Sequence, residues 1–183
     1  MDSKEYEKLY KHAMNSCMWH INNRDMPSYK LREKLLNKGY IDAEITIINK
    51  EKNTETSHNI LKEVLSYLTD NLIINDEEYL RTKIEQMVRA GKGLNYIKTK
   101  LMTDRVPKDL MEEALDKYYV LDEDAEYESL ERIAKNIVYG SSFQKLDKYK
   151  KKARIQQRLL SKGYSYELIN KWIVDNEELI YEE

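Results

Sequence analysis

The sequence predicts an all-α protein made of three tandem three-helix repeats, stacked into an elongated, curved array of right-handed type. Its 183 residues include only 5 Gly and 2 Pro, which leaves little turn punctuation between helices. Charged residues make up 35% of the chain, and apolar residues recur at three- and four-residue intervals, as in amphipathic helices. Nearly the same heptapeptide also occurs twice, as KLLNKGY at 34–40 and as RLLSKGY at 158–164.

The heptapeptide has a third, altered copy in the middle of the chain, KLMTDRV at 100–106. The three copies share apolar positions at the spacing i, i+4, i+5, which is expected on one helical face. The aligned sets are Leu31, Ile97 and Ile155; Leu35, Leu101 and Leu159; and Leu36, Met102 and Leu160. The agreement extends into the following helix, with the pairs Met111–Ile169 and Ala114–Trp172. A unit of this size cannot bury both its faces alone, so the repeats are expected to stack.

Each repeat is predicted to contain three helices. The predicted ranges are 3–23, 28–38 and 58–71 in repeat one (1–72), 76–90, 94–104 and 107–119 in repeat two (73–121), and 123–138, 147–162 and 165–180 in repeat three (122–183). Gly39 and Gly163 each follow a lysine, which is the pattern of a helix C-terminus. Side-chain caps are expected at the start of two long helices, from Asn75 or Asp76 and from Asp122 or Asp124.

Repeat one contains an insertion. Residues 60–72 align with residues 110–122, so the offset between repeats falls from 66 to 50 and about 16 extra residues follow Gly39. The inserted stretch starts with β-branched residues and ends polar, without a sustained helical face. We expect a loop at 41–57 with a short ordered piece at Ile45–Asn49. The alternative makes 41–53 the third helix of repeat one and 58–71 an additional helix.

Charge is strongly segregated, although the net charge is only −2. Residues 145–162 carry one acid and eight cations: Lys145, Lys148, Lys150, Lys151, Lys152, Arg154, Arg158 and Lys162. Repeat two adds Lys92, Lys98, Lys100, Arg105 and Lys108. These residues are the candidate surface for an acidic protein or for phosphate, with plain solubility as the alternative. Tyrosines lie near them at Tyr79, Tyr96, Tyr149 and Tyr164, where base stacking competes with ordinary packing as the explanation.

The residues show no pattern that predicts catalysis, a cofactor or a metal site. No nucleotide-binding glycine loop, nucleophile elbow or zinc-protease motif occurs. His12 and His20 share one helix with Cys17, and residues 122–124 are acidic, but neither group completes a coordination sphere. A single cysteine fits a reducing cytoplasm. No apolar run approaches the roughly 20 residues that span a bilayer, and the charged N-terminus is unlike a signal peptide.

The order of these elements resembles the RecX family, regulators of the RecA recombinase. The best-matching stretch is VLSYLTDNLIINDEEYLRTKIEQMVRAGKGLNYIKTKL at 64–101. Asp76 and Tyr79 match the family's acid-x-x-aromatic signature, and Gly91 and Gly93 fall in its glycine-bearing connection. The chain departs from the pattern at Leu80, at Asp104-Arg105 in place of Lys-Gly, at Pro27 and Lys30, and in the insertion.

The resemblance implies a non-enzymatic, cytoplasmic protein without a cofactor. RecX proteins act in recombination, DNA repair and the SOS response; they bind the RecA–DNA filament, and most inhibit strand exchange, ATP hydrolysis and coprotease activity. The implied partners are therefore the RecA filament and single- or double-stranded DNA. We expect the chain to be a monomer. Two alternatives remain open, a stand-alone nucleic-acid-binding helical protein and a helical-repeat adaptor for an unrelated protein.

Overall fold

The computed structural model describes residues 1–49, 54–119 and 123–181, and their regular structure is almost entirely helical. These residues form the helices α1 (Ser3–Asn23), α2 (Ser28–Asn37), α3 (Ile60–Asp70), α4 (Asp76–Arg89), α5 (Leu94–Thr103), α6 (Lys108–Tyr118), α7 (Glu123–Val138), α8 (Ser141–Gln144), α9 (Lys148–Lys162), α10 (Tyr166–Asp175) and α11 (Glu177–Tyr181), and the strands β1 (Ile45–Asn49) and β2 (Thr54–His58). The predicted all-α class is confirmed. Within the described ranges, no helix combines the length and apolarity needed to cross a membrane.

The helix ends follow the predicted capping chemistry in most places. Asn75 caps α4 by accepting a hydrogen bond from the backbone N–H of Glu78, whereas Asp122 lies outside the described residues. The prediction of one helix at 165–180 was wrong, because the chain breaks between α10 and α11. The side-chain amide of Asn176 donates to the carbonyl of Trp172 at 2.9 Å, an interaction that competes with helix continuation. The short helix α8 was not predicted.

The insertion in the first repeat forms a β-hairpin. Strands β1 and β2 pair antiparallel, from Ile45 opposite His58 to Asn49 opposite Thr54. β-branched residues dominate the run ITII and alternate in TETSH, which favours extended backbone. The expected loop at 41–57 was therefore wrong, although its ordered piece at Ile45–Asn49 is β1. The alternative helix over 41–53 was wrong as well.

Helix α3 and the N-terminal part of α1 hold the hairpin through Glu63. This carboxylate accepts a hydrogen bond from the Tyr6 hydroxyl and lies 2.9 Å from His58 Nδ1. The rings of Tyr6 and His58 are 4.9 Å apart. Burial alone would raise the pKa of Glu63, but the hydrogen bonds from Tyr6 and His58 outweigh burial and hold that pKa below its ordinary value. The hairpin is thus tied to the helices by a charged, hydrogen-bonded contact.

The chain divides into two compact units, Met1–Tyr79 and Leu80–Glu183. In the first unit α1, α2 and α3 pack around a core of Ala13, Cys17, Leu31, Leu35, Leu61, Val64 and Leu68. In the second, α7, α9 and α10 pack around Leu130, Ala134, Val138, Ile155, Leu159, Ile169, Trp172 and Ile173. The boundary between the units falls within α4, so the division into repeats 1–72, 73–121 and 122–183 remains a prediction.

Two of the three aligned apolar sets are buried. Leu31, Ile97 and Ile155 are buried, and so are Leu35, Leu101 and Leu159. The third set was assigned to the same face wrongly, since Met102 and Leu160 are exposed. A residue at i+5 lies about 140° around the helix from residue i, well away from the face that i and i+4 share.

Candidate partner-binding surface

Two glycines bring the start of α5 into contact with the end of α9. The backbone N–H of Gly93 donates to the Lys162 carbonyl at 2.9 Å, and the N–H of Asn95 donates to the Gly163 carbonyl at 3.2 Å. A Cβ atom on Gly93 would lie 2.6 Å from the Gly163 oxygen, and one on Gly163 would lie 2.3 Å from the Tyr96 nitrogen. Only residues without a side chain allow these backbones to approach so closely.

Two predicted cations adjoin this contact, one just before α5 and the other in the last turn of α9. Lys92 precedes α5, and its Nζ lies 3.9 Å from the centre of the Tyr96 ring, a cation–π distance. Lys162, in the last turn of α9, adjoins the same glycine contact. Gly91 has φ +68°, and its carbonyl lies 3.4 Å from the Tyr164 hydroxyl. Gly91 and Gly93, the glycines of the family resemblance, therefore lie where the start of α5 meets the end of α9.

Helix α9 presents a stripe of cations along one side. Lys150, Arg154 and Arg158 are exposed and follow one another at four-residue spacing, which aligns them on the helix surface. Asp147 caps the helix through the Lys150 N–H at 3.0 Å and pairs with Lys150 Nζ at 2.8 Å. Its hydrogen bonds with Lys150 lower the pKa of Asp147. Lys150 is thus partly neutralised at the first turn.

The other cations of this segment differ in how freely their charge is exposed. Lys145, Lys152, Arg154 and Arg158 are exposed, and none lies within ion-pair distance of a carboxylate of the described residues. Lys148 is exposed as well, with Nζ 5.1 Å from the Tyr181 ring centre. We call Lys145, Lys148, Lys150, Lys152, Arg154 and Arg158 the α9 surface.

Lys151 does not belong to that surface, and its assignment as an exposed binding residue was wrong. It is only 7% exposed, and its Nζ lies 5.9 Å from the centre of the Phe143 ring. Lys151 precedes Ile155 by four residues and Leu159 by eight, so it lies on the buried face of α9. The four-residue spacing in the sequence therefore already indicated that Lys151 faces inward.

The cations of repeat two are mostly engaged within the chain. Asp104 accepts from Lys83 and pairs with Lys100 at 3.2 Å. Burial alone would raise the pKa of Asp104, but the bonds from Lys83 and Lys100 lower it. Lys108 lies 3.7 Å from Glu112. Lys98 is exposed, with no carboxylate of the described part of the chain at ion-pair distance.

Arg105 stands where the other two copies of the heptapeptide have glycine. Its φ is +58°, against +89° at Gly39 and +92° at Gly163. All three aligned positions therefore end a helix in the left-handed region, although an arginine adopts it at a cost of about 1–2 kcal/mol. The change from Lys-Gly to Asp104-Arg105 preserves the backbone path and replaces a single cation with an acid and a cation.

The four tyrosines separate into different roles. Tyr164 is buried, and its hydroxyl lies 3.0 Å from Ser129 Oγ, so ordinary packing rather than base stacking explains this residue. Tyr149 is 90% exposed at the start of α9. Tyr96 is half-buried beneath Lys92, and Tyr79 accepts a hydrogen bond from Lys30 at 3.2 Å.

The signature pair Asp76 and Tyr79 joins α4 to α2. Pro27 precedes α2 and supplies no capping side chain. The carboxylate of Asp76 takes over this function, because it accepts from the Ser28 N–H at 2.6 Å and from the Ser28 hydroxyl. Lys30 binds Tyr79 one turn later. The signature residues thus compensate for the departures from the family pattern at Pro27 and Lys30. The contact between Asp76 and Ser28 joins residues 48 positions apart, so no local pattern indicates it.

Sequence reasoning also missed two exposed apolar side chains on the cation-bearing helices. Met102 on α5 and Leu160 on α9 are exposed, and exposed methionine is common at protein-binding surfaces. His12, Cys17 and His20 form no metal-binding group; indeed no three His, Cys, Asp or Glu residues gather suitably anywhere in 1–49, 54–119 and 123–181.

Comparisons with known proteins agree on one family. A family model described as RecX, third three-helix domain, matches residues 139–173. A protein named Regulatory protein RecX from Lactococcus lactis subsp. cremoris is 34% identical over 109 residues, or 58% of this chain and 39% of that protein. One of the same name from Clostridium perfringens is 26% identical over 175 residues, 93% of this chain and 73% of that protein.

The fold also matches solved structures. The crystal structure of RecX from Lactobacillus salivarius superposes with a TM-score of 0.67 at 20% identity, covering 92% of this chain and 96% of that one. The chain spans about two-fifths of the length of the Lactococcus relatives, since the matched part covers 39% of them. The shared fold, the matched third domain and the similarly named relatives together show that the chain is similar to RecX proteins over most of its length.

Proposed function

We propose that the chain regulates RecA without catalysing a reaction, by binding the RecA–DNA filament through the α9 surface. Binding there would inhibit strand exchange, ATP hydrolysis and coprotease activity in the cytoplasm, with no cofactor. The names of the relatives support a regulatory role, and RecA is the partner that the family resemblance implies.

One observation carries the choice of surface. Lys152, Arg154 and Arg158 are exposed on a single helix, and no carboxylate of the described chain lies within ion-pair distance of them. A chain with net charge −2 has enough acids to balance these cations, yet places them elsewhere. Unneutralised charge on a rigid helix attracts and orients an anionic partner.

The contribution of the second helix is smaller. Lys98 on α5 is exposed and unpaired within the described residues, and Lys92 stands at the glycine contact with the end of α9. Lys100, Lys108 and Lys150 are each paired with an acid. A partner would have to displace those acids, so these three residues add less binding free energy.

The test is binding to preformed RecA–DNA filaments, measured by co-sedimentation or anisotropy. The triple variant K152E/R154E/R158E is expected to bind at least about tenfold more weakly, because losing 1.4 kcal/mol of attraction produces that factor. The matched control K4E/K8E/K11E reverses three exposed lysines of α1 and should bind like the wild type. Equal binding by both variants would contradict the assignment of the α9 surface.

Stand-alone nucleic-acid binding is the second candidate function, favoured by Tyr149, which is 90% exposed beside Lys148 and Lys150. Binding to bare single-stranded DNA across a salt series separates the two functions. Each phosphate contact contributes a slope of about −0.7 in log K against log salt for single strands. Equal, salt-steep binding with and without RecA would favour this second function, and capture of an unrelated protein without either would favour an adaptor.

A further inference from the structure

The outer edge of strand β1 is covered by Met1. The nitrogen of Met1 donates to the Thr46 carbonyl at 3.4 Å, and the Ile48 N–H donates to the Met1 carbonyl at 3.3 Å. The backbone groups of Thr46 and Ile48 therefore point away from β2. Because this direction alternates along a strand, the backbone groups of Ile47 between them point toward β2.

The register of the hairpin then identifies the free backbone groups of β2. Ile47 lies opposite Thr56, so the N–H and C=O of Thr56 point toward β1, whereas those of Glu55 and Ser57 point outward. No backbone group of the described residues bonds to Glu55 or Ser57 on that side. Strand β2 thus has an open edge, in contrast to β1.

This open edge lacks the usual protection against another strand. Proteins commonly protect an exposed edge with lysine, proline or a bulge. The sequence TETSH of β2 contains neither lysine nor proline, and it pairs with β1 in an unbroken register. Residues Thr54–Ser57 are exposed, and the contact of His58 with Glu63 at 2.9 Å holds the strand on α3. The edge is therefore both accessible and fixed in place.

We propose that β2 pairs with β2 of a second copy of the chain, antiparallel and centred on Thr56, so that two hairpins form one continuous sheet. This register places Glu55 of each copy opposite Ser57 of the other, and both outward-pointing residues then exchange N–H···O bonds. A register centred on Glu55 would oppose two carboxylates, and one centred on Ser57 would leave Glu55 without a partner in β2. In the Thr56 register Thr54 faces His58, and no like charges lie directly opposite each other.

The self-complementary register favours a second copy over an unrelated extended peptide. Threonine and serine pair well across antiparallel strands, and here the strand supplies both members of every pair. The paired surface is small, so the association is weak and requires high protein concentration. It would replace the monomer expected from the sequence with a weak dimer. The inference goes beyond the proposed function and does not depend on RecA.

Sedimentation equilibrium of the full chain, from micromolar to millimolar concentration, tests the pairing. The average mass is expected to rise above the 21.9 kDa of one chain. T56K would place two lysines face to face, with Cα atoms about 4.5 Å apart, and should raise the dissociation constant at least about tenfold. The matched control T46K makes the same change at an exposed position of β1 and should associate like the wild type.

Disulfide formation tests the register. In T56C the two new cysteines would lie within the Cα separation of a disulfide, so mild oxidation should give a covalent dimer. In T54C the two cysteines would lie about 14 Å apart along the paired strands, which is too far for a disulfide. The native Cys17 is buried, so the wild type should not be linked. Circular dichroism checks that each variant is folded.

Three outcomes would overturn the inference: a wild-type chain that stays monomeric at millimolar concentration, equal association of T56K and T46K, or a disulfide in T54C as readily as in T56C. A monomer that instead binds an extended peptide at β2 would also overturn it. None of these variants alters the α9 surface, so filament binding by K152E/R154E/R158E remains an independent test of the proposed function.

Discussion

Helices α2 and α9 carry the two closest copies of the heptapeptide, yet only their inward sides are alike. Leu31 and Leu35 of α2 are buried like Ile155 and Leu159 of α9, and both helices are followed by a glycine with positive φ. Their N-terminal ends differ. Helix α9 has 15 residues and α2 has 10, and the additional first turn of α9 carries Lys148, Tyr149 and Lys150.

This difference shows that the repeated heptapeptide determines packing, whereas the residues around it determine what each copy contacts. Pro27 limits the start of α2, whose cap comes from Asp76 on α4. Asp147, the residue directly before α9, caps that helix itself, so α9 begins earlier relative to the heptapeptide than α2 does. Arg32, an exposed cation of α2, is paired with Asp42, whereas Arg154 and Arg158 of α9 have no carboxylate at ion-pair distance within the described residues.

The two glycines offer the sharpest way to test this difference. G163A is expected to lower the free energy of unfolding by about 2–5 kcal/mol, because a Cβ would meet the Tyr96 backbone in addition to the cost of positive φ. G39A should cost only about 1–2 kcal/mol, since a Cβ on Gly39 meets nothing within 4 Å. Urea unfolding measures both, and equal losses would show that the glycine contact between α5 and α9 does not constrain the fold.

Neighbouring lysines of α9 provide the next test. K151E would place a carboxylate on the buried face beside Phe143, with an expected loss of about 2–4 kcal/mol in the free energy of unfolding. K152E alters an exposed residue and should change it by no more than about 0.5 kcal/mol. Thermal unfolding compares the two. If K151E leaves the free energy of unfolding unchanged, Lys151 is not buried and belongs to the α9 surface.

The caps of the two helices give the smallest expected effect. D76A removes the cap of α2 and leaves the Ser28 N–H and hydroxyl without their acceptor, at a cost of about 1–2 kcal/mol. D147A removes an exposed cap from α9 and should cost about 0.5–1 kcal/mol. Chemical denaturation of both variants decides the order, and a larger loss in D147A would contradict the role given to Asp76.

Periodicity predicted most of the helices because burial repeats every three to four residues, and it contained the signal that Lys151 faces inward. The hairpin was missed because the β-branched run ITII is short and can start either a loop or a strand. The Gly93–Gly163 and Asp76–Ser28 contacts join residues 70 and 48 positions apart. Such pairings arise only when helices pack, so no local pattern predicts them.

The candidate cations were visible in the sequence, but only part of their division into free and paired charges was. Asp104 and Glu112 neutralise Lys100 and Lys108, and these pairs could be inferred from four-residue spacing. Lys83, which also binds Asp104, comes from another helix. The structure therefore narrows thirteen candidate cations to a smaller set centred on Lys152, Arg154 and Arg158.

RecA-driven DNA strand exchange with substoichiometric amounts of the chain tests the central claim most directly. We predict that the wild type and K4E/K8E/K11E slow exchange, whereas K152E/R154E/R158E, folded to the same extent by circular dichroism, has lost most of the inhibition. Exchange that proceeds unchanged with the wild-type chain, or that the α9 variant inhibits as strongly as the wild type, would contradict the account.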